Sequence, residues 1–161
     1  MVKIVDGNIF RDLPDYSVLM HQCNTKGWMG NGISKEIARR WPNAFSEYHD
    51  YCRWFQDGHE DDILGTFVGV YVDPKHIVCS AIAQKTVRKH EQQTDYDAWE
   101  DICHKIEVQT RAVKVRTGHV WTIHVPYNIG CGQGSGDWET MLGIFKKYFG
   151  MSTVDLIIHK Y

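Results

Sequence analysis

Ser17-Val18-Leu19-Met20-His21-Gln22-Cys23 is an apolar run of strand length, and Asn24-Thr25-Lys26-Gly27-Trp28-Met29-Gly30-Asn31-Gly32 follows it as a glycine-bearing loop. Gly32–Trp41 then reads as a helix, because Ile33, Ile37 and Trp41 fall at i, i+4 and i+8. The same order recurs near the C-terminal end. His119–Val125 is a strand, Pro126–Gly136 is a loop with four glycines, and Asp137–Phe149 is a helix with a good N-cap. Leu142, Phe145 and Phe149 share one face of that last helix.

The remaining segments fit around these two units. Val2–Val5 is a short strand ended by the turn sequence Asp6-Gly7-Asn8. Pro42 stops the first helix and starts a second one, Ala44–Gln56, which carries the aromatics Phe45, Tyr48, Tyr51, Trp54 and Phe55. Thr66–Val72 and Ile77–Ala83 are strands joined by an Asp73-Pro74 turn. Gln84–Asp95 is polar loop, Tyr96–Val115 a long helix and Val154–His159 a final strand. Alternating strands and helices predict an α/β fold, with a mixed, mostly parallel sheet covered on both faces. Ligands of such sheets sit beyond the carboxyl ends of the strands. Both glycine loops follow a strand and lead into a helix, so both are expected at that one edge.

Composition narrows the function classes. The 161 residues are enough for one domain, 43% hydrophobic and 24% charged, in the range of globular proteins. No apolar run approaches the roughly 20 residues that span a bilayer, and Met1–Asp6 runs straight into a strand without a leader pattern. A net charge of -2 argues against a dedicated nucleic-acid binder, since phosphate-backbone affinity rests on positive charge. The five cysteines are widely spaced with no CxxC, which points to reduced thiols in a cytoplasmic protein rather than a zinc site. The histidine pairs (His119/His124, and His21 beside Cys23) match no metal signature, and neither metal nor cofactor is expected.

Glycine between a strand and a helix lets backbone N–H groups approach an anion at the positive end of a helix. Neither loop fits the GxxxxGK[ST] pattern of ATPases. The G-x-G-x-G of Gly130–Gly134 lacks the acidic partner of a dinucleotide fold. The loops therefore point to a phosphate-bearing small molecule, with tight turns alone as the bland alternative.

Leu19-Met20-His21-Gln22-Cys23-Asn24 through Gly30-Asn31-Gly32-Ile33-Ser34 resembles the macrodomain signature. Pro126-Tyr127-Asn128-Ile129-Gly130-Cys131-Gly132, followed by Asp137-Trp138-Glu139, resembles the second macrodomain loop, and Gly7-Asn8-Ile9 stands where macrodomains carry Gly-Asp-Ile. The order holds across almost the whole chain and is most similar to a small stand-alone branch. That branch includes the ADP-ribose-1''-phosphate phosphatase and the terminal ADP-ribose protein glycohydrolase. The resemblance implies a single macrodomain over residues 1–161, a three-layer α/β/α sandwich that binds an ADP-ribose derivative as a monomer, with neither nucleic acid nor membrane as partner. It implies ligand contacts at Gly7, Asn8 and Ile9 beside adenine, with Asn replacing the usual Asp. It further implies contacts at Cys23, Asn24, Gly30, Asn31, Gly32 and Ile33 around the diphosphate and distal ribose. Ile129, Gly130, Cys131, Gly132, Gln133, Gly134 and Ser135 match the second phosphate loop, and Tyr161 a terminal residue near adenine.

For catalysis three readings stand side by side. A phosphatase acting without metal on ADP-ribose-1''-phosphate would use His21 and Asn24; free histidine titrates near neutrality, although position 21 also suits a core histidine. A hydrolase removing ADP-ribose from macromolecules would use Lys85, near the lysine of the glycohydrolase relatives, but their aspartate position is Gly134 here. A non-catalytic ADP-ribose-binding module needs neither. Asp137 is either an acid–base group or its helix's cap. Lys85, Arg88, Lys89 and His90 form a basic loop, either a lid or a solvent-facing stretch. Cys131 reads as a small packing residue.

Overall fold

The apolar run at Ser17 forms the centre of the molecule. The structure is a computed structural model and describes residues 1–30, 32–55, 58–85, 93–132 and 134–161. Strands β1 (Val2–Asp6), β2 (Ser17–Asn24), β3 (Thr66–Asp73), β4 (His76–Gln84), β5 (Thr122–Pro126) and β6 (Leu156–Lys160) make one sheet in the order β1-β6-β5-β2-β4-β3. All neighbours are parallel except the edge strand β3, which pairs antiparallel with β4 through the turn at Pro74 and Lys75.

Strand β2 is buried along nearly its whole length because both sheet faces are covered. Its side chains alternate. Val18 and Met20 join the cluster under α3 (Tyr96–Thr117) and α4 (Trp138–Phe149), while Leu19 and Cys23 join the cluster under α1 (Gly32–Arg40) and α2 (Pro42–Trp54). This gives the expected α/β/α layering. Helix ends follow the local chemistry. Asp95 accepts the Ala98 N–H at 2.9 Å and Asp137 accepts that of Thr140 at 3.0 Å, each capping its helix. Gly118, left-handed at φ 76°, closes α3. The buried stripe of α4 is Met141, Ile144, Phe145 and Phe149, with Leu142 at its margin.

Several boundaries shift by one or two residues, and the start of β5 shifts most. Strand β5 begins at Thr122 and not at His119, because its neighbour β2 begins at Ser17, which pairs with Thr122. Residues ahead of that register have no ladder to join. His119 instead stacks on Tyr16, ring centroids 4.0 Å apart, and Val120 is exposed.

Chain direction locates the cleft. From β2 the chain leads through α1 and α2 toward β3 and β4, on one side of the sheet order; from β5 it leads through α4 to β6, on the other. Adjacent parallel strands whose connections diverge leave a crevice beyond their carboxyl ends. No helix among the described residues is long and apolar enough to cross a membrane.

Candidate ligand cleft between two glycine loops

A cleft of about 820 Å³ opens at this point. Its walls are Trp28, Gly30, Gly32, Ile33 and Ser34 from the β2 side and Pro126–Gly130, Gly132 and Gly134 from the β5 side, with Gln22, Asn24 and Gln84 at its floor.

The first loop is shaped by Asn24. Its Oδ1 accepts the N–H groups of Lys26 (2.9 Å) and Trp28 (3.3 Å), and its Nδ2 donates to the Trp28 carbonyl at 3.0 Å. The buried Tyr48 hydroxyl donates to the Asn24 carbonyl at 2.6 Å and also lies 3.0 Å from Oδ1. Burial pushes the Tyr48 phenol well above its ordinary range, so it stays a donor. The carboxamide thus fastens the peptide of Trp28, whose side chain is left 60% exposed at the cleft wall. Gly32 begins α1 at φ 56°, a conformation that favours glycine.

The second loop rests on side chains from other elements. The Gly134 carbonyl accepts the N–H groups of Gln93 (2.7 Å) and Thr94 (3.0 Å), and Thr94 Oγ1 donates to the Gly130 carbonyl at 2.5 Å. Gln22 Nε2 donates to Gln84 Oε1 at 2.9 Å and Thr94 Oγ1 at 3.0 Å, while Trp99 Nε1 donates to Gln22 Oε1 at 2.7 Å. A Cβ at Gly134 would lie 2.6 Å from Gln22 Nε2 and closer still to Thr94 Oγ1. Position 134 is therefore closed to a side chain in this arrangement.

Of the expected contact residues, Asn24, Gly30, Gly32, Ile33, Ile129, Gly130, Gly132 and Gly134 line the cleft. Asn31 and Gln133, with Arg88, Lys89 and His90 of the basic loop, lie outside the described residues. Cys23 is buried in the α1/α2 cluster, and Cys131 turns its thiol to the Ile129 carbonyl at 3.5 Å, so neither sulfur faces the cleft. Ser135 occupies a left-handed turn at φ 53° outside the lining. Gly7, Asn8, Ile9 and Tyr161 belong to the β1/β6 end and do not line the cleft. Asn8 Oδ1 accepts the Phe10 N–H at 2.9 Å, Ile9 is buried and Tyr161 is exposed.

Two of the expected catalytic side chains, His21 and Lys85, lie outside the cleft lining. His21 is fully buried, with Nδ1 2.9 Å from Ser34 Oγ and Nε2 3.1 Å from Ser80 Oγ. Burial pulls its pKa down to about 3, so the ring is neutral near pH 7 and exchanges no proton with the cleft directly. Lys85 turns away from the cleft, pairs with Asp61 at 2.5 Å and lines a separate pocket of about 260 Å³ with Thr25, Lys26, Gly58 and Glu60. Asp137 serves as the cap of α4. The floor and wall residues Gln22, Trp28, Ser34, Gln84, Tyr127 and Asn128 had no assigned role from sequence. Gln22 did leave a signal: it is polar within an apolar strand, and period-2 alternation sets it on the opposite face from His21 and Cys23. Among the described residues no group of three His, Cys, Asp or Glu side chains gathers to hold a metal.

No protein-family profile matches the chain. Part of it is similar to curated proteins named ADP-ribose 1''-phosphate phosphatase. One from Debaryomyces hansenii is 36% identical over 73 residues, 41% of this chain and 38% of the relative. One from Aspergillus oryzae is 36% identical over 55 residues, 34% of this chain and 27% of the relative. The matched segments thus span well under half of those relatives. Solved structures match nearly the whole chain. A protein from Bacteroides thetaiotaomicron superposes with TM-score 0.84 at 23% identity, covering 100% of both chains. The macrodomain protein from Streptomyces coelicolor gives 0.78 at 18%, covering 100% of this chain and 99% of that one. Thermosipho africanus DarTG in complex with ADP-ribose gives 0.75 at 15%, covering 99% of this chain and 41% of that one. The chain has the macrodomain fold.

Proposed function

We propose that the cleft binds ADP-ribose derivatives and that the chain hydrolyses ADP-ribose-1''-phosphate to ADP-ribose and phosphate. The observation that carries this reading is the open backbone of the first loop. Gly30 and Gly32 have no atom within 4 Å of where a Cβ would stand, and they lead into the N-terminus of α1. The first N–H groups of a helix have no partner within it, so Gly32, Ile33 and Ser34 offer donors to an anionic oxygen. Relatives named for this phosphatase activity, and an ADP-ribose complex of the same fold, support the choice of ligand.

Hydrolysis of a phosphate monoester needs charge stabilised on the phosphoryl oxygens and a water held in line. Among the described cleft-lining residues only Tyr127 has an ionisable side chain. Catalysis then rests on positioning and on fixed dipoles, and turnover is slow. The rate should follow the substrate phosphate's own second ionisation near pH 6, with no further inflection from an enzyme histidine. The lack of an evident general acid or base among the described lining residues favours one second reading, a binding module without turnover. Removal of ADP-ribose from macromolecules by a lysine–aspartate pair is disfavoured, because Lys85 faces Asp61 and position 134 admits no aspartate.

Calorimetric titration with ADP-ribose, paired with phosphate release from the 1''-phosphate, tests the proposal. One-to-one binding with phosphate release is the expected result. Binding without release selects the module, and no binding overturns the ligand assignment.

A further inference from the structure

Beneath the first loop, three polar side chains from three elements form a buried line. Ser80 of β4 is 1% exposed, His21 of β2 is 0% exposed, and Ser34 of α1 is half-buried and lines the cleft. The contacts are Ser80 Oγ to His21 Nε2 at 3.1 Å and His21 Nδ1 to Ser34 Oγ at 2.9 Å. A neutral imidazole has one N–H, so the line has two possible directions. If Nε2 carries the proton, His21 donates to Ser80, and Ser34 donates inward to Nδ1. The Ser80 hydroxyl proton is then left inside the core with only the Cys23 sulfur, a weak acceptor, for a partner. If Nδ1 carries the proton, Ser80 donates to Nε2 and His21 donates to Ser34 Oγ. The imidazole N–H and the buried Ser80 hydroxyl then each have an oxygen or nitrogen acceptor, and the proton left over, on the half-buried Ser34 beside the weakly accepting Cys23 sulfur, can point into the cleft.

We infer that Ser34 is the side-chain donor to an anionic phosphate oxygen in this cleft, with its hydroxyl turned outward by the Ser80–His21 line. The inference rests on the reading of the cleft as a phosphate site. Ser34 touches the ligand; His21 and Ser80 are positioning residues that act through it. The direction of the line explains why an imidazole is buried under a loop whose described cleft lining holds no histidine. A ring fixed as donor toward Ser34 needs no charge, and depression of its pKa by burial keeps it in that form. The line runs into the first turn of α1, where the backbone donors also face the ligand. Ser34 therefore adds a fixed hydroxyl to a cradle otherwise built from peptide groups.

The test combines a ligand measurement with a ligand-free one. Ser34→Ala should lower kcat/KM for ADP-ribose-1''-phosphate about ten- to a hundredfold, the usual effect of losing a hydrogen bond to a charged group. Ser34→Thr, which keeps the hydroxyl, should recover most of it. Ser80→Ala, which removes the donor to Nε2, should lower it a few-fold while leaving the melting transition cooperative. Independently, 15N NMR of the His21 ring should show the Nδ1–H tautomer in the wild type and a shift toward Nε2–H in Ser80→Ala. An Nε2–H tautomer in the wild type, or full activity in Ser34→Ala, overturns the inference. If the wild type neither binds ADP-ribose nor releases phosphate, the functional reading fails by itself. Titration with inorganic phosphate then decides this one: tighter binding to wild type than to Ser34→Ala supports it, and equal binding overturns it.

Discussion

In the loop after β2, a side chain added at Gly30 or Gly32 meets no atom within 4 Å; in the loop after β5, one added at Gly130, Gly134 or Gly136 runs into Gln22, Thr94 or the Gly130 carbonyl. The two loops share a composition, and glycine has a different purpose in each. The first is held from within, by one asparagine that binds its peptides, and its Gly30 and Gly32 leave backbone open toward the cleft. The second is pressed onto a floor of amide and hydroxyl side chains, and Gly130, Gly134 and Gly136 permit that close approach. The floors differ as well. Under the first loop lies the ionisable His21; under the second lie Gln22, Gln84, Thr94 and Trp99, none of which titrates in the ordinary range. Similar loops can therefore be separated by acid, by packing and by ligand.

Acid should give the largest effect. His21 is held neutral in the folded chain, its pKa pulled from 6.5 to about 3. The unfolded chain binds that proton first, so the stability His21 contributes is complete above about pH 6.5 and is lost as pH falls toward 3. The slope is about 1.4 kcal/mol per pH unit for one such group. His124, pulled down to about 4 by burial, adds in the same direction. Chemical denaturation across this range should show the decline, and amide exchange should rise in Asn24–Ser34 before it rises in Asn128–Gly136. Simultaneous loss in both loops would show that their floors do not open independently.

Packing comes next. Gly134→Ala forces a methyl against Gln22 and Thr94 and should cost about 1–3 kcal/mol, the range for overpacking, measured as a drop in denaturation midpoint. Asn24→Ala removes the acceptor of two loop N–H groups and should cost about 1–2 kcal/mol, since water replaces part of what is lost. A wild-type midpoint in Gly134→Ala would mean that the second loop is not pressed shut.

The fold was legible because its signals are local. The apolar run at Ser17–Cys23, the i, i+4, i+8 spacing of Ile33, Ile37 and Trp41, and the cap at Asp137 each depend on neighbours along the chain. The cleft was half legible, because strand–glycine–helix order predicts which loops meet at the sheet edge. His21 stayed open between a catalytic and a core role in the sequence because its burial comes from contacts such as Ser80, 59 residues away, and from the helix bearing Ser34. The direction of Lys85 was illegible for a similar reason. Its position just past β4 is visible in sequence, but the direction of its side chain is set by Asp61. That position 134 is a glycine is plain in the sequence. Why no side chain fits there depends on Thr94 and Gln22, which lie 72 residues apart in the chain.

The smallest expected change in stability is the most informative about the cleft. Gly30 has no left-handed φ and nothing near its Cβ position, so Gly30→Ala should leave the denaturation midpoint within about 0.5 kcal/mol of wild type. The new methyl stands on the cleft wall, over the backbone that an anion must approach. Affinity for ADP-ribose should fall in this variant while the fold is untouched. Gly134→Ala should show the reverse order, with the fold weakened first and binding lost only as a consequence. Measuring both quantities in both variants crosses the two loops against the two roles of glycine. If Gly30→Ala bound ADP-ribose as wild type does, the open backbone of the first loop would not be the ligand's seat. The site would then have to be sought along the second loop, where Gly132 alone among its described glycines leaves comparable space.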